Sequence, residues 1–129
     1  MIIDTSAIIA ILRDEPERAS FNDVISQAGS RHMSAATFVE ASMVMASMQG
    51  YDGLRDLDLL IATAGIEIVT VDVDQAHIAR EAFQRYGKGR SPVGLNYGDC
   101  FSYALAKATG LPLLFKGTDF SGTDIVSAV

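Results

Sequence analysis

Four acidic residues in this chain lie inside or beside apolar segments, where a carboxylate is costly. They are Asp4, Glu40, Asp99 and Asp119. Asp4 follows the apolar run 1–3, for example, and Glu40 lies within the apolar segment 38–44. A carboxylate near a core is unfavourable unless it is paired or binds a cation, and the first three have no obvious Lys or Arg partner. The sequence therefore favours a fold in which distant acids converge on a divalent metal ion.

Short β-branched segments alternate with helical segments along the chain. The predicted strands are 2–4, 31–33, 66–71 and 113–116, with a possible last strand at 125–129. The predicted helices are 5–13, 15–28, 35–49, 53–64, 74–86 and 97–109, and their predicted caps include Thr5 or Ser6, Ser34 and Asn96. This alternation predicts a three-layer α/β/α fold with a central, mainly parallel sheet of four to five strands. We expect residues 1–129 to form a single domain.

The predicted strands place two of the acids at one edge of the sheet. In parallel α/β sheets, ligands bind beyond the carboxyl ends of the strands. Asp4 ends the first predicted strand, and Asp119 follows the strand 113–116. We therefore expect both carboxylates at the same edge.

The other two acids lie on predicted helices. The neighbours of Glu40 at three and four residues are mostly apolar, so we expect Glu40 to face inward or along a cleft. Asp99 lies in the first turn of the helix 97–109, where the helix dipole favours negative charge, and it shares a face with Ser102. Structural alternatives remain open: helix capping for Asp4 and Asp99, a paired or protonated buried acid for Glu40, and an ordinary loop acid for Asp119.

A cluster of carboxylates needs a compensating charge. Two carboxylates about 4 Å apart repel by roughly 4 kcal/mol at an effective dielectric constant of 20. Oxygen ligands suit Mg²⁺ or Mn²⁺ rather than zinc, and the two histidines, His32 and His77, do not form a spaced pair. A magnesium site without a protein base is suited to phosphodiester cleavage, because the metal activates water and stabilises charge on the phosphate.

The net charge of −6 argues at first against a nucleic acid partner. Two bound divalent cations would add about four positive charges, leaving about −2, so the charge permits an RNA substrate. The segment 85–90 is the only dense basic cluster, and it includes Arg85, Lys88 and Arg90. We expect these three side chains to lead RNA toward the acids, although an ordinary solvated loop is the alternative. The spacing of a phosphate-binding P-loop is absent.

Several other features limit the class of protein. No apolar run reaches the roughly 20 residues of a membrane span, and residues 1–15 lack the basic region of a signal peptide. The single cysteine, Cys100, excludes an internal disulfide and fits a reducing cytoplasm. Four of the five methionines lie in 33–48, which indicates either core filling or an adaptable apolar interface.

Four motifs together resemble a known family. The chain is similar to the PIN-domain ribonucleases, in particular the VapC-type toxins of type II toxin–antitoxin systems. The resemblance covers nearly the whole length, through the segments MIIDTSAIIAIL, SAATFVEASMV, GLNYGDCFSYALAK and LPLLFKGTDF. It implies a PIN-like fold and a Mg²⁺- or Mn²⁺-dependent endoribonuclease that cleaves RNA with metal-activated water.

The resemblance also implies roles for individual residues. Asp4, Glu40, Asp99 and Asp119 would form the acidic metal site, with Asp4 and Asp99 as direct ligands. Ser6 and Asn96 would hydrogen-bond to the carboxylates. In place of further acids, Lys116-Gly117-Thr118 precedes Asp119, so the number of metal ions stays open.

Two kinds of protein partner follow from the same resemblance. Family members usually form homodimers, and a cognate VapB-type antitoxin silences them by wrapping apolar grooves and delivering a basic residue to the site. The apolar helices 35–49 and 53–64 could provide such grooves.

Three alternatives remain. A phosphatase of the haloacid dehalogenase type would need an Asp two residues after Asp4, where this chain has Ser6. A phosphoacceptor receiver domain could use Asp72 as its acceptor, but it would need an acidic pair near the first strand that is missing here. A PIN-fold module that only binds a partner is the third, and an activity assay would distinguish it.

Overall fold

The computed structural model describes all 129 residues. The elements in chain order are β1 (Ile2–Ile3), α1 (Thr5–Leu12), α2 (Arg18–Gln27), β2 (His32–Ser34), α3 (Ala35–Ala64), β3 (Glu67–Val69), α4 (Val73–Tyr86), α5 (Tyr97–Thr109) and β4 (Leu113–Leu114). The four strands form one sheet in the order β3-β2-β1-β4, and every pair is parallel. The predicted parallel sheet of at least four strands is confirmed.

Two apolar cores lie on opposite faces of this sheet. Successive strand side chains point to opposite faces, so Ile3 and Leu114 enter one core while Ile2 and Leu113 enter the other. Helices α1, α2 and α3 cover the first face, and α4 and α5 cover the second. This arrangement confirms the three-layer α/β/α prediction.

Helix α3 bends where the sequence predicted a break between two helices. Gly50 has φ 60° and ψ −139°, which is not helical and which a residue without a Cβ adopts at least cost. On either side of the bend, Met45 and Leu57 are both fully buried. The bend therefore lets both halves of α3 contribute side chains to the core.

Several boundaries differ from the sequence predictions, including those of α2 and of the last predicted strand. Helix α2 begins at Arg18, later than the predicted start at 15. The possible last strand, 125–129, is wrong as a full strand, because only Ser127 pairs with β4, through an isolated parallel bridge to Leu113. None of the helices combines the length and the hydropathy that crossing a membrane requires.

Candidate active site

Asp4 lies at the carboxyl end of β1 and is almost fully buried, with 3% of its surface exposed. Its N–H donates to the carbonyl oxygen of Leu114, which fixes it beside the end of β4. Asp4 also caps α1, because its Oδ2 accepts hydrogen bonds from the N–H of Ser6 at 3.0 Å and from Ser6 Oγ at 2.7 Å. The prediction that Thr5 or Ser6 caps this helix was wrong, since the extended backbone of Asp4 aims its own carboxylate at the first turn.

The second oxygen of Asp4 is held from the other side of the molecule. Ser102, fully buried on α5, donates its hydroxyl hydrogen to Asp4 Oδ1 at 2.6 Å. The sequence placed Ser102 on the same face of α5 as Asp99, but nothing in the local pattern indicated that it would reach β1. Asp4 therefore accepts three hydrogen bonds, from residues at both ends of the chain.

Glu40 lies half-buried on α3, between the elements that carry Asp4 and Asp99. Its Oε1 accepts a hydrogen bond from Thr5 Oγ1 at 2.5 Å, which joins α3 to the start of α1. Its carboxylate also packs against Gly98 in the first turn of α5, where an added Cβ would overlap it. Thr5 was not among the residues predicted to hold the acids, although its place next to Asp4 was a signal.

Asp99 and Asn96 form a reciprocal cap at the start of α5. The N–H of Asn96 donates to Asp99 Oδ2 at 3.0 Å, and the N–H of Asp99 donates to Asn96 Oδ1 at 2.9 Å. Asn96 thus hydrogen-bonds to the carboxylate of Asp99 through its main-chain N–H, while its side chain accepts from the main chain of Asp99. The capping alternative for Asp99 is real, but it uses only one of the two carboxylate oxygens.

The pKa of Asp99 is raised from 3.8 to about 7. Burial is the largest cause, and the negative charges of Asp4, Asp119 and Glu40 raise the pKa further, against the hydrogen bond from the Asn96 N–H. Asp119 is exposed in the loop beyond β4, yet it is near enough to act on Asp99. The fold therefore brings the four sequence-predicted acids into one electrostatic neighbourhood.

No basic side chain neutralises this neighbourhood. None of the four acids takes part in a salt bridge. Lys116, the cation that follows β4, pairs instead with Glu15 at 2.9 Å and Glu17 at 3.4 Å. Its main-chain N–H donates to Ser6 Oγ at 3.0 Å, which ties the loop carrying Asp119 to the Asp4 side of the site.

The residues at this edge fit a hard divalent cation. No three acidic, histidine or cysteine side chains are close enough together to form a complete metal-binding set by themselves. Magnesium does not require one, because it keeps several bound waters and is held in proteins by one or two carboxylates together with substrate phosphates. Asp4 and Asp99, with uncompensated charge and oxygen donors only, meet that requirement.

The basic segment, residues 85–90, runs from the last turn of α4 into the loop that precedes α5. Main-chain hydrogen bonds between Tyr86, Lys88 and Leu95 close it at its base. The Arg85 guanidinium lies 5.1 Å from the centre of the Tyr86 ring, and that of Arg90 lies 5.5 Å from the Phe83 ring. The side chains of all three cations, Arg85, Lys88 and Arg90, are exposed and free of salt bridges.

Comparison with known proteins gives consistent results. The family model described as PIN domain matches residues 1–126. A protein named Ribonuclease VapC from Mycolicibacterium smegmatis is 51% identical over 127 residues, which cover 98% of each chain.

Two solved structures resemble the fold at low sequence identity. VapC20 of Mycobacterium tuberculosis, described as a sarcin–ricin loop cleaving toxin, aligns with a TM-score of 0.78 at 16% identity, covering 97% of this chain and 95% of that one. A chain of a toxin–antitoxin complex from Klebsiella pneumoniae aligns with a TM-score of 0.74 at 21% identity, covering 99% and 97%.

Proposed function

The chain belongs to the PIN-domain family, within its VapC group, and on that premise we propose that it is a divalent-metal-dependent endoribonuclease, the toxic component of a type II toxin–antitoxin system. The observation that carries the proposal is the convergence of four carboxylates without a basic partner, which helps to raise the pKa of Asp99 to about 7. A buried acid with a purely structural role is normally paired with a basic group. These carboxylates repel one another without such a partner, and a bound cation would compensate their charge. RNA in the cytoplasm is the proposed substrate.

The side chains of the site have distinct tasks in this proposal. Ser6 and Ser102 orient Asp4, and the Asn96 main chain holds one oxygen of Asp99, so the free lone pairs of both carboxylates can bind Mg²⁺ or Mn²⁺. When bound, the cation would lower the pKa of a coordinated water and offset charge on the phosphate. Glu40, fixed by Thr5, would orient the attacking water, and exposed Asp119 would assist at the open side.

The ordered basic loop supports RNA as the ligand. Arg85 lies in the last turn of α4, and Lys88 and Arg90 lie on the segment between α4 and α5; all three are exposed, and α5 carries Asp99 in its first turn. Phosphates of a bound strand would contact this loop while one phosphodiester group reaches the acids. We assign the three side chains to RNA binding without sequence discrimination.

We assign an apolar groove between α1 and the second half of α3 to the antitoxin. The groove has a volume of about 390 Å³, and its apolar lining residues are Ile11, Leu12, Leu59 and Leu60. Leu59 is 64% exposed, so its side chain is available for contact with a partner that enters the groove. An amphipathic helix of a VapB-type antitoxin would bury these side chains, and a basic residue further along it would neutralise the acids.

We further propose a homodimer. The methionine-rich part of α3 divides into two sets, because Met45 is fully buried whereas Met43 is 66% exposed and Met48 43% exposed. Val39, one turn before Met43, is 49% exposed, so these two side chains form a short apolar stripe on one face of α3. Light scattering on the purified chain should give twice the monomer mass of 13.8 kDa.

The decisive experiment is RNA cleavage with end mapping. Purified protein is incubated with a mixed RNA pool in Mg²⁺, in EDTA, and in EDTA followed by excess Mg²⁺. We expect cleavage only where Mg²⁺ is free, and no 2′,3′-cyclic phosphate ends, because water rather than the ribose hydroxyl attacks. Cleavage that persists in EDTA with cyclic phosphate ends would identify a contaminating nuclease. No cleavage by a protein that still binds the antitoxin would favour a non-catalytic binding module.

A further inference from the structure

Ser102 is the most deeply buried polar group that contacts the acids. It has no exposed surface, and its hydroxyl lies 2.6 Å from Asp4 Oδ1 and 3.2 Å from Thr37 Oγ1. Thr37, on the first turn of α3, is also buried, with 1% of its surface exposed. These three side chains connect β1, α5 and α3 at the centre of the site.

The chemistry of the three groups fixes the direction of both hydrogen bonds. An ionised carboxylate only accepts, so the single hydroxyl hydrogen of Ser102 must go to Asp4. Ser102 then has only lone pairs left for Thr37, and Thr37 must donate to Ser102 Oγ. A hydroxyl that receives one hydrogen bond while donating to a charged oxygen is polarised by both, which strengthens the chain.

The hydrogen bonds from Thr37 to Ser102 and from Ser102 to Asp4 also link the two most buried carboxylates, Asp4 and Asp99. Ser102 follows Asp99 by three residues on α5, so the two side chains lie on the same face of one rigid helix. By holding Asp4, Ser102 fixes the position of the Asp4 carboxylate relative to that of Asp99. Ser6 holds the other oxygen of Asp4, which leaves the carboxylate with no freedom to rotate away from a cation.

We propose that Ser102 is a positioning residue for metal binding, and that Thr37 sets the orientation of its hydroxyl. This inference rests on the proposed metal-dependent function, because it concerns how the chain presents Asp4 to the cation. Residues that hold metal ligands in this way typically contribute 10- to 100-fold to metal affinity. If the Ser102 hydroxyl only satisfied a buried hydrogen bond, its removal would lower folding stability and leave metal affinity unchanged.

The test uses three variants of the 129-residue chain, namely Ser102→Ala, Thr37→Val and Thr37→Ser. Mn²⁺ binding to metal-stripped protein is measured by calorimetry, which does not depend on cleavage. We expect Ser102→Ala to weaken Mn²⁺ binding by roughly 10-fold or more. Thr37→Val should weaken it less, and Thr37→Ser, which keeps the hydroxyl, should bind as the wild type does. In cleavage assays kcat should fall while KM for RNA stays constant.

Wild-type Mn²⁺ affinity in Ser102→Ala, with only the melting temperature lowered, would overturn the proposal. If Ser102→Ala does not fold, the Thr37 pair decides, because Val and Ser at that position differ in the hydroxyl; equal affinities of the two variants would then overturn it. A wild-type protein that binds Mn²⁺ but cleaves no RNA would refute the proposed nuclease, while the binding comparison would still test Ser102.

Discussion

The carboxylate of Glu40 rests on the main chain of Gly98, one residue before Asp99. A Cβ at position 98 would overlap the Glu40 carboxylate, so no side chain fits there unless Glu40 moves. The contact joins α3 to the first turn of α5, which also contains Asp99. Position 98 therefore controls where the Glu40 carboxylate lies.

Gly98→Ala should impair cleavage by displacing Glu40. We expect kcat to fall by roughly 10-fold or more, since displacing a group that positions a reactant commonly costs that much. Gly29→Ala is the matched control, because a Cβ at Gly29 meets nothing within 4 Å and its backbone has no positive φ. Cleavage rates of the two variants at saturating RNA make the comparison. Full activity of Gly98→Ala would show that the position of Glu40 does not matter.

Asp99→Asn should abolish cleavage and stabilise the metal-free protein. The substitution removes a buried charge that Asp4, Asp119 and Glu40 all repel, and it keeps the shape of the side chain. We expect its melting temperature in EDTA at about pH 8 to exceed that of the wild type. Adding Mn²⁺ should raise the wild-type melting temperature by mass action and leave that of the variant almost unchanged. An equal Mn²⁺ response in both proteins would exclude Asp99 as a ligand.

The contribution of Asp99 to the free energy of unfolding of the metal-free protein should fall as the pH rises from about 4 to about 7. The pKa of Asp99 is about 7 in the folded protein, compared with an ordinary value of 3.8, so over this range the folded form binds more protons than the unfolded form. The Asp99 contribution to stability is therefore present at low pH and lost as the pH passes the folded value. Urea unfolding in EDTA at about pH 5 and about pH 8 measures it. The wild type should lose more stability than Asp99→Asn, by a few kcal/mol at most; parallel losses would contradict the assignment.

Asp4→Asn should also abolish cleavage. Unlike Asp99→Asn, which should stabilise the metal-free protein, Asp4→Asn should destabilise it. Asp4 caps α1 and accepts hydrogen bonds from Ser6 and Ser102. An amide can offer only one acceptor oxygen, and its NH₂ group would face a hydroxyl hydrogen. We expect a loss of about 1–3 kcal/mol, because the buried Ser102 hydroxyl can no longer donate to an acceptor at that position, and urea unfolding in EDTA measures it. An increase in stability would mean that relief of charge repulsion outweighs the loss of this hydrogen bond.

Lys88→Ala combined with Arg90→Ala should weaken RNA binding and reduce its dependence on salt. Removing one ion pair between a cationic side chain and a phosphate lowers the slope of log K against log salt by about 0.7 for a single strand. Binding is measured with Asp99→Asn as the background, so that the RNA stays intact. Arg55→Ala is the control, because Arg55 lies on α3 and already pairs with Asp52. An unchanged slope in the double variant would show that Lys88 and Arg90 do not contact RNA phosphates and that the loop is an ordinary solvated connection.

The sequence by itself determined most types of element and pointed to the four acids that the fold brings near one another. Ser34 and Asn96 cap α3 and α5 as predicted, and the strand–helix alternation gave the correct parallel sheet. Caps and hydrophobic periodicity depend on residues a few positions apart, so they are legible in a single chain. The acids were recognisable because a carboxylate in an apolar segment is costly wherever that segment folds.

Only the tertiary structure decided what holds those acids. Ser102 reaches Asp4 across 98 positions of sequence, Thr5 reaches Glu40 across 35, and the Lys116 amino group turns to Glu15 rather than to the acids. Each contact depends on how one helix or strand end is placed against another. That placement results from packing on both faces of the sheet. No local pattern encodes it, because a serine that holds a carboxylate and a serine that fills a core can have the same neighbours along the chain.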